Sequence, residues 1–147
     1  MKKNILCLFI LIAGLTLSAS LRDVNRAISS NDVVKLRELL SQNINVDERD
    51  SFGGTALHAT MFQTQNPEII QLMLEKDYDI NAIGPRNGYT PLHDAVWANN
   101  DIALEILLKN GARTDIKGKD GFTAYEKAKK ENKKVLVEIF ERNGIRK

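Results

Sequence analysis

Thr90-Pro91-Leu92-His93 repeats, with one substitution, the segment Thr55-Ala56-Leu57-His58 that stands 35 residues earlier. A sequence that returns at a period of 20–50 residues is typical of proteins built from stacked, similar units. Thr123-Ala124-Tyr125-Glu126 follows 33 residues after Thr90, and counting back from Thr55 by the same period reaches Arg22. The sequence therefore predicts four units, at about 22–54, 55–89, 90–122 and 123–147.

Each unit contains two apolar stretches with helical spacing. In the third unit the first stretch includes Leu92 and Val96, Asn99-Asn100-Asp101 interrupts the pattern, and Ile102 to Leu108 resumes it. Asn and Asp suit the start of a helix, and the glycine of Asn110-Gly111 suits its end. Turn-forming residues close the units, at 50–54, 84–88 and 118–121. We expect two helices and a hairpin from each unit.

The third unit resembles the ankyrin repeat in Thr90-Pro91-Leu92-His93-Asp94-Ala95, Leu107-Leu108 and Gly111-Ala112. The resemblance implies an all-α solenoid over residues 21–147, made of four helix-turn-helix repeats joined by short β-hairpin loops. It also implies structural roles for the threonines, which cap the first helices, and for the histidines, which bridge neighbouring repeats. These residues are Thr55, His58, Thr90 and His93. The second unit departs from the pattern by two extra residues, one between its helices and one in its hairpin.

The first 20 residues have the pattern of a secretory signal peptide. Lys2 and Lys3 precede an apolar run from Ile5 to Leu17, and Ser18-Ala19-Ser20 supplies small residues for cleavage. We expect cleavage after Ala19 or Ser20, with a retained anchor as the alternative. Because the run is shorter than the roughly 20 residues that span a bilayer, the mature chain is predicted not to insert into a membrane. The predicted location is the periplasm or the cell exterior.

Charge and composition exclude several classes of function. Without residues 1–20 the chain has 19 basic and 19 acidic side chains, which argues against nucleic-acid binding. Cys7 is the only cysteine, so the mature chain has no thiol nucleophile or thiolate ligand. His58 and His93 lack further ligands at metal spacing, and phosphate-binding and nucleophile motifs are missing. We therefore expect no catalysis, no cofactor and no metal.

Aromatic and basic side chains mark the predicted binding surface. In ankyrin proteins, partners are usually held by the hairpin tips and the exposed side of the first helices. Placing this sequence on the repeat predicts partner-binding roles for Phe52, Phe62, Arg86, Tyr89, Trp97, Lys119 and Phe122. Phe52 and Phe122 have packing between repeats as their alternative. Arg49, Asp94, Lys117 and Glu131 could add charged contacts, and the lysine-rich tract 127–134 is interpreted as the polar end of the stack, with partner steering left open.

These expectations combine into a monomeric, non-catalytic protein-binding module of the bacterial cell envelope. Its partner would be an exported protein, with the chain acting as an accessory, inhibitor or immunity-type partner of a periplasmic enzyme. One alternative is a secreted effector that binds a host protein. Another is a small-ligand or metal-binding enzyme accessory, which would need a deep pocket at His58 or His93.

Overall fold

The computed structural model describes residues 19–146, and the helices of this range form two layers. In chain order they are α1 Leu21–Ser29, α2 Val33–Leu40, α3 Ala56–Gln63, α4 Pro67–Glu75, α5 Pro91–Trp97, α6 Asp101–Lys109, α7 Ala124–Lys130 and α8 Lys134–Arg142. The odd-numbered helices pack against one another in sequence order, and the even-numbered helices do the same. The predicted all-α solenoid of four helix pairs is confirmed. The predicted signal peptide lies outside the described residues, apart from Ala19 and Ser20.

A polar cap begins each odd-numbered helix. Thr55, Thr90 and Thr123 precede α3, α5 and α7, and in each case the side chain three residues on reaches back to the backbone of the threonine. Ser20 and Asp23 form the same reciprocal cap at α1. In the first unit the cap is therefore Ser20, two residues before Arg22, and it stands 35 residues before Thr55, as Thr55 stands before Thr90.

The two histidines connect successive repeats. The Thr55 backbone N–H donates to His58 Nδ1 at 3.2 Å, so the ring proton lies on Nε2, which donates to the Tyr89 carbonyl at 3.3 Å. His93 pairs with Thr90 and with the Phe122 carbonyl in the same way. Burial lowers the pKa of both histidines, which favours the neutral ring that this pattern requires.

The apolar core lies between the two helix layers and continues from one repeat to the next. Leu57 and Leu92 of the repeated segments share one buried cluster with Ile69 and Leu104 of the second layer and with Phe140 of α8. A single helix pair cannot bury such a face alone, so the stability of each repeat depends on its neighbours. No helix between residues 19 and 146 has the length and apolar content needed to cross a bilayer.

The hairpins are held by turns rather than by extended strands. Within residues 19–146 the only β-bridge joins Lys117 and Thr123. Neighbouring hairpins are linked directly, since the Lys119 backbone N–H donates to the Asn87 carbonyl at 2.7 Å. This link aligns the hairpin tips along one edge of the stack.

The extra residue predicted between the helices of the second unit extends α3 to Gln63. The other helix pairs turn through an asparagine with positive φ, such as Asn99 at 54°, but Thr64 at the end of α3 is extended. Asn100 of the next repeat fills this wider turn, where its amide donates to the carbonyls of Met61 at 2.9 Å and Thr64 at 2.8 Å. The irregular turn is therefore fixed by a buried side chain from the third repeat.

Candidate functional site

Exposed aromatic side chains surround a pocket that the hairpins closing the first two repeats form with α3 and α5. The pocket has a volume of about 450 Å³ and is lined by Phe52 of a hairpin, Phe62 of α3 and Trp97 of α5. All three rings are exposed, and Phe52 has 69% of its surface accessible. Exposed aromatic side chains grouped at one place on a folded protein indicate an interaction site.

Acidic groups form the polar part of the pocket. Asp94 of α5 is only 6% exposed, and its carboxylate forms no hydrogen bond with residues 19–146 but meets solvent at the pocket. Asp50 also lines the pocket, and its Oδ1 accepts hydrogen bonds from the backbone N–H groups of Phe52 at 2.8 Å and Gly54 at 3.0 Å. Asp50 is thus held by its own turn, whereas the buried carboxyl of Asp94 lacks a protein partner in the described range.

The environment of Asp94 changes its ionisation. Burial raises the pKa of this carboxyl to about 7, and the negative charge of Asp50 acts in the same direction. Asp94 therefore exchanges its proton close to neutral pH, unlike a carboxyl in water. A carboxyl with a raised pKa that lines a cleft is a candidate functional group.

Contacts from two repeats fix the position of Trp97. Its ring makes edge-to-face contacts with Phe62, at a centroid distance of 5.8 Å, and with Tyr89, at 6.2 Å. The Lys133 ammonium of the fourth repeat donates to the Trp97 carbonyl at 3.2 Å. The aromatic wall of the pocket is therefore organised before any partner arrives.

Tyr89 does not present its ring at the surface, as its predicted binding role would require. It is 9% exposed, its ring stacks on His93 at 5.0 Å, and its hydroxyl donates to Asp120 at 2.8 Å. A Cβ added at Gly118 would lie 2.6 Å from the ring, so the absence of a side chain there makes room for it. Tyr89 supports Trp97 from within the stack and offers little contact area of its own.

The other predicted binding residues fall into two groups. Phe52, Phe62, Arg86 and Trp97 come together at the pocket, and the Arg86 guanidinium lies 5.6 Å from the centre of the Phe52 ring. Lys119 is exposed on the next hairpin, where its ammonium donates to the Pro85 carbonyl at 2.6 Å. Phe122 is half-buried in the same hairpin as Lys119, with the Lys130 ammonium 4.1 Å from its ring centre. Phe52 lies at the surface and is not packed between repeats, which was the alternative prediction for this residue.

From the sequence, Asp50 is predicted only to form a turn, and Asp94 is named only among the residues that could add charged contacts to a partner. One signal was available, because Asp94 is an acidic residue within the apolar first helix of its unit. The histidines lie at the repeat junctions, and His58 also lines the pocket. No group of three or more His, Cys, Asp or Glu side chains between residues 19 and 146 has the arrangement of a metal site.

Known proteins resemble this chain through its repeats. The family model for ankyrin repeats, in three copies, matches residues 24–120. The chain is 33% identical over 119 residues to the transient receptor potential cation channel subfamily A member 1 of Homo sapiens, covering 80% of the chain and 10% of the channel. It is 28% identical over 127 residues to protein phosphatase 1 regulatory subunit 12A of Rattus norvegicus, covering 84% of the chain and 12% of the subunit.

A third relative is the B-cell lymphoma 3 protein homolog of Mus musculus, which is 31% identical over 104 residues. That match covers 71% of the chain and 23% of the relative. The chain thus spans less than a quarter of the length of each of these three relatives. The similarity concerns the repeat region that they share.

Proposed function

Because the chain belongs to the ankyrin-repeat family, we propose that it is a non-catalytic module that binds another protein through the pocket formed by Phe52, Phe62 and Trp97. The observation that carries the proposal is the grouping of these exposed rings around one concavity. Aromatic side chains supply much of the binding free energy in protein interfaces, since they bury a large apolar area with few rotatable bonds. The rigid repeats behind them keep this surface in place.

The proposed partner is an exported protein, and the favoured role is that of an accessory, inhibitor or immunity-type partner of a periplasmic enzyme. Support comes from the signal-peptide pattern of residues 1–20 and from the lack of cysteine after Cys7, which suits an oxidising compartment.

Ser20 caps α1, so cleavage after Ala19 would preserve the cap and cleavage after Ser20 would remove it. We therefore favour Ser20 as the mature N-terminus, which N-terminal sequencing of the exported protein can check.

Site-specific photo-crosslinking in the native cell tests the proposed function. A benzophenone amino acid at Phe62 is expected to form a covalent adduct with one discrete protein in the envelope or exported fraction. The same group at Val34, which is 80% exposed on α2 away from the pocket, serves as the matched control. Trp97→Ala should reduce the Phe62 adduct roughly tenfold with little change in thermal unfolding, because the Trp97 ring is exposed. Identical adducts from positions 62 and 34 would contradict the proposal.

A further inference from the structure

We infer that the pocket formed by Phe52, Phe62 and Trp97 receives the basic side chain of a lysine or arginine from the partner protein. This inference rests on the proposed function, because it names the group that the binding surface recognises. The aromatic walls, the buried carboxyl and the charge balance of the pocket support it separately.

The aromatic walls suit a cation. Phe52, Phe62 and Trp97 line one pocket, and the negative faces of aromatic rings attract ammonium and guanidinium groups. The chain already uses one of these rings in this way, since Arg86 lies over Phe52 at the rim. A second cation from a partner would meet the remaining rings.

The buried carboxyl requires hydrogen-bond donors from the occupant. Asp94 is 6% exposed, lines the pocket and forms no hydrogen bond within residues 19–146, so its carboxylate oxygens meet only the water in the pocket. An apolar or anionic occupant would displace this water and leave the carboxylate without a donor, which is unfavourable. Lysine and arginine side chains carry only donors and a positive charge, so they complement this group.

The charges around the pocket favour a positive occupant. Among the lining side chains Asp50 and Asp94 are acidic, Arg86 is basic, and burial lowers the pKa of His58, so these residues carry one excess negative charge when both carboxyls are ionised. Arg49 is not among the lining residues, although its charge also lowers the pKa of His58, and its guanidinium donates to the carbonyls of Gly53 and Ile83. Lys127 of the neighbouring α7 is paired with Asp120 at 2.8 Å and does not supply the missing cation. Residues 21–116 as a whole contain 9 basic and 14 acidic side chains, which adds a field of the same sign.

Binding of a cation should depend on pH in one direction. The raised pKa of Asp94 means that a proton occupies the carboxyl in acid and must leave before a cation can pair with it. The affinity is therefore expected to fall as the pH falls through about 7.

The experiment uses Trp97, the only tryptophan of the chain, as a fluorescent reporter within the pocket. The full chain is titrated with acetyl-Gly-Arg-Gly-amide and acetyl-Gly-Lys-Gly-amide up to millimolar concentrations, at about pH 8 and about pH 5.5. The uncharged counterparts contain citrulline or norleucine in place of the basic residue. A saturable change with a basic peptide, weakened roughly tenfold at the lower pH and missing with its counterpart, is the expected result.

Two variants sharpen the test. Asp94→Asn should weaken the basic peptide roughly tenfold at pH 8 and remove the pH dependence, while Asp47→Asn, an exposed aspartate that does not line the pocket, should match the wild type. Equal binding of the uncharged peptides, no response to either basic peptide, or an unchanged affinity in Asp94→Asn would overturn the inference. If crosslinking at Phe62 still captures a partner in that case, the proposed protein-binding function stands without the basic side chain.

Discussion

Replacing Asp94 by asparagine is expected to raise the free energy of unfolding at about pH 8 by up to about 4 kcal/mol. The folded protein holds this carboxyl at a pKa of about 7, whereas the unfolded chain ionises it near 3.8. Between these values the folded state retains a proton that the unfolded state has lost, so stability decreases as the pH rises from about 4 to about 7 and stays low above that range. Asparagine has the same shape and no charge, so it removes the penalty.

Urea unfolding at about pH 5 and about pH 8 measures this effect. The advantage of Asp94→Asn over the wild type should be larger at pH 8 by about 2–3 kcal/mol. The window avoids more acidic conditions because the hydrogen bond from Lys127 lowers the pKa of Asp120 to about 2, and the stabilisation from that ionised carboxyl is lost as the pH falls from about 4 towards 2. Asp47→Asn should show no such pH-dependent gain, and an equal effect of Asp94→Asn at both pH values would contradict the assignment.

Asn100→Ala is expected to lower the free energy of unfolding by about 2–4 kcal/mol. Asn100 is 2% exposed, and its amide donates to two carbonyls of the second repeat, those of Met61 and Thr64. Its Oδ1 also accepts from the Ala103 backbone N–H at 3.0 Å and so caps α6. Alanine would remove the cap and leave the buried Met61 carbonyl without its side-chain donor.

Asn66→Ala is the matched control for that substitution. Asn66 occupies the same place one repeat earlier and caps α4 through the Glu68 backbone N–H. Within residues 19–146 its amide donates to the side chain of Asn31 and to no backbone carbonyl. Its removal should lower the free energy of unfolding by about 1 kcal/mol, the usual effect of losing a helix cap at a partly exposed site. Equal losses in the two variants, measured by urea unfolding followed by circular dichroism, would show that Asn100 does not hold the wider turn.

The repeat architecture could be predicted from the sequence because it depends on local and periodic information. Thr55 and Thr90 precede a helix in both copies of the repeated segment, and the histidine three residues on accepts a hydrogen bond from the threonine backbone N–H, so this signal is local. The position of the extra residue before Asn66 could be counted from the same period. The side chain that fills the wider turn could not be predicted in this way, because Asn100 reaches the turn from the following repeat.

The composition of the candidate site could not be predicted from the repeat period, because it depends on side-chain contacts between repeats. The sequence placed Tyr89 and Trp97 on the same face, but Tyr89 is buried by Asp120 and Gly118 of the next hairpin, whereas Trp97 remains exposed at the end of its helix. Asp94 belongs to the regular segment by sequence, and its functional interest arises only from its burial beside a pocket. The repeat period therefore predicted on which side of the stack these residues lie, and side-chain packing between repeats determines which of them are exposed.

The central claim is that the surface around Trp97 binds the partner, and hydroxyl-radical footprinting of the captured complex tests it most directly. The account predicts that oxidation of Trp97, Phe62 and Phe52 falls severalfold in the complex, while Val34 of α2 and Val135 of α8, both exposed elsewhere on the stack, react as in the free protein. Unchanged oxidation of the three pocket rings together with protection of Val34 or Val135 would contradict the account.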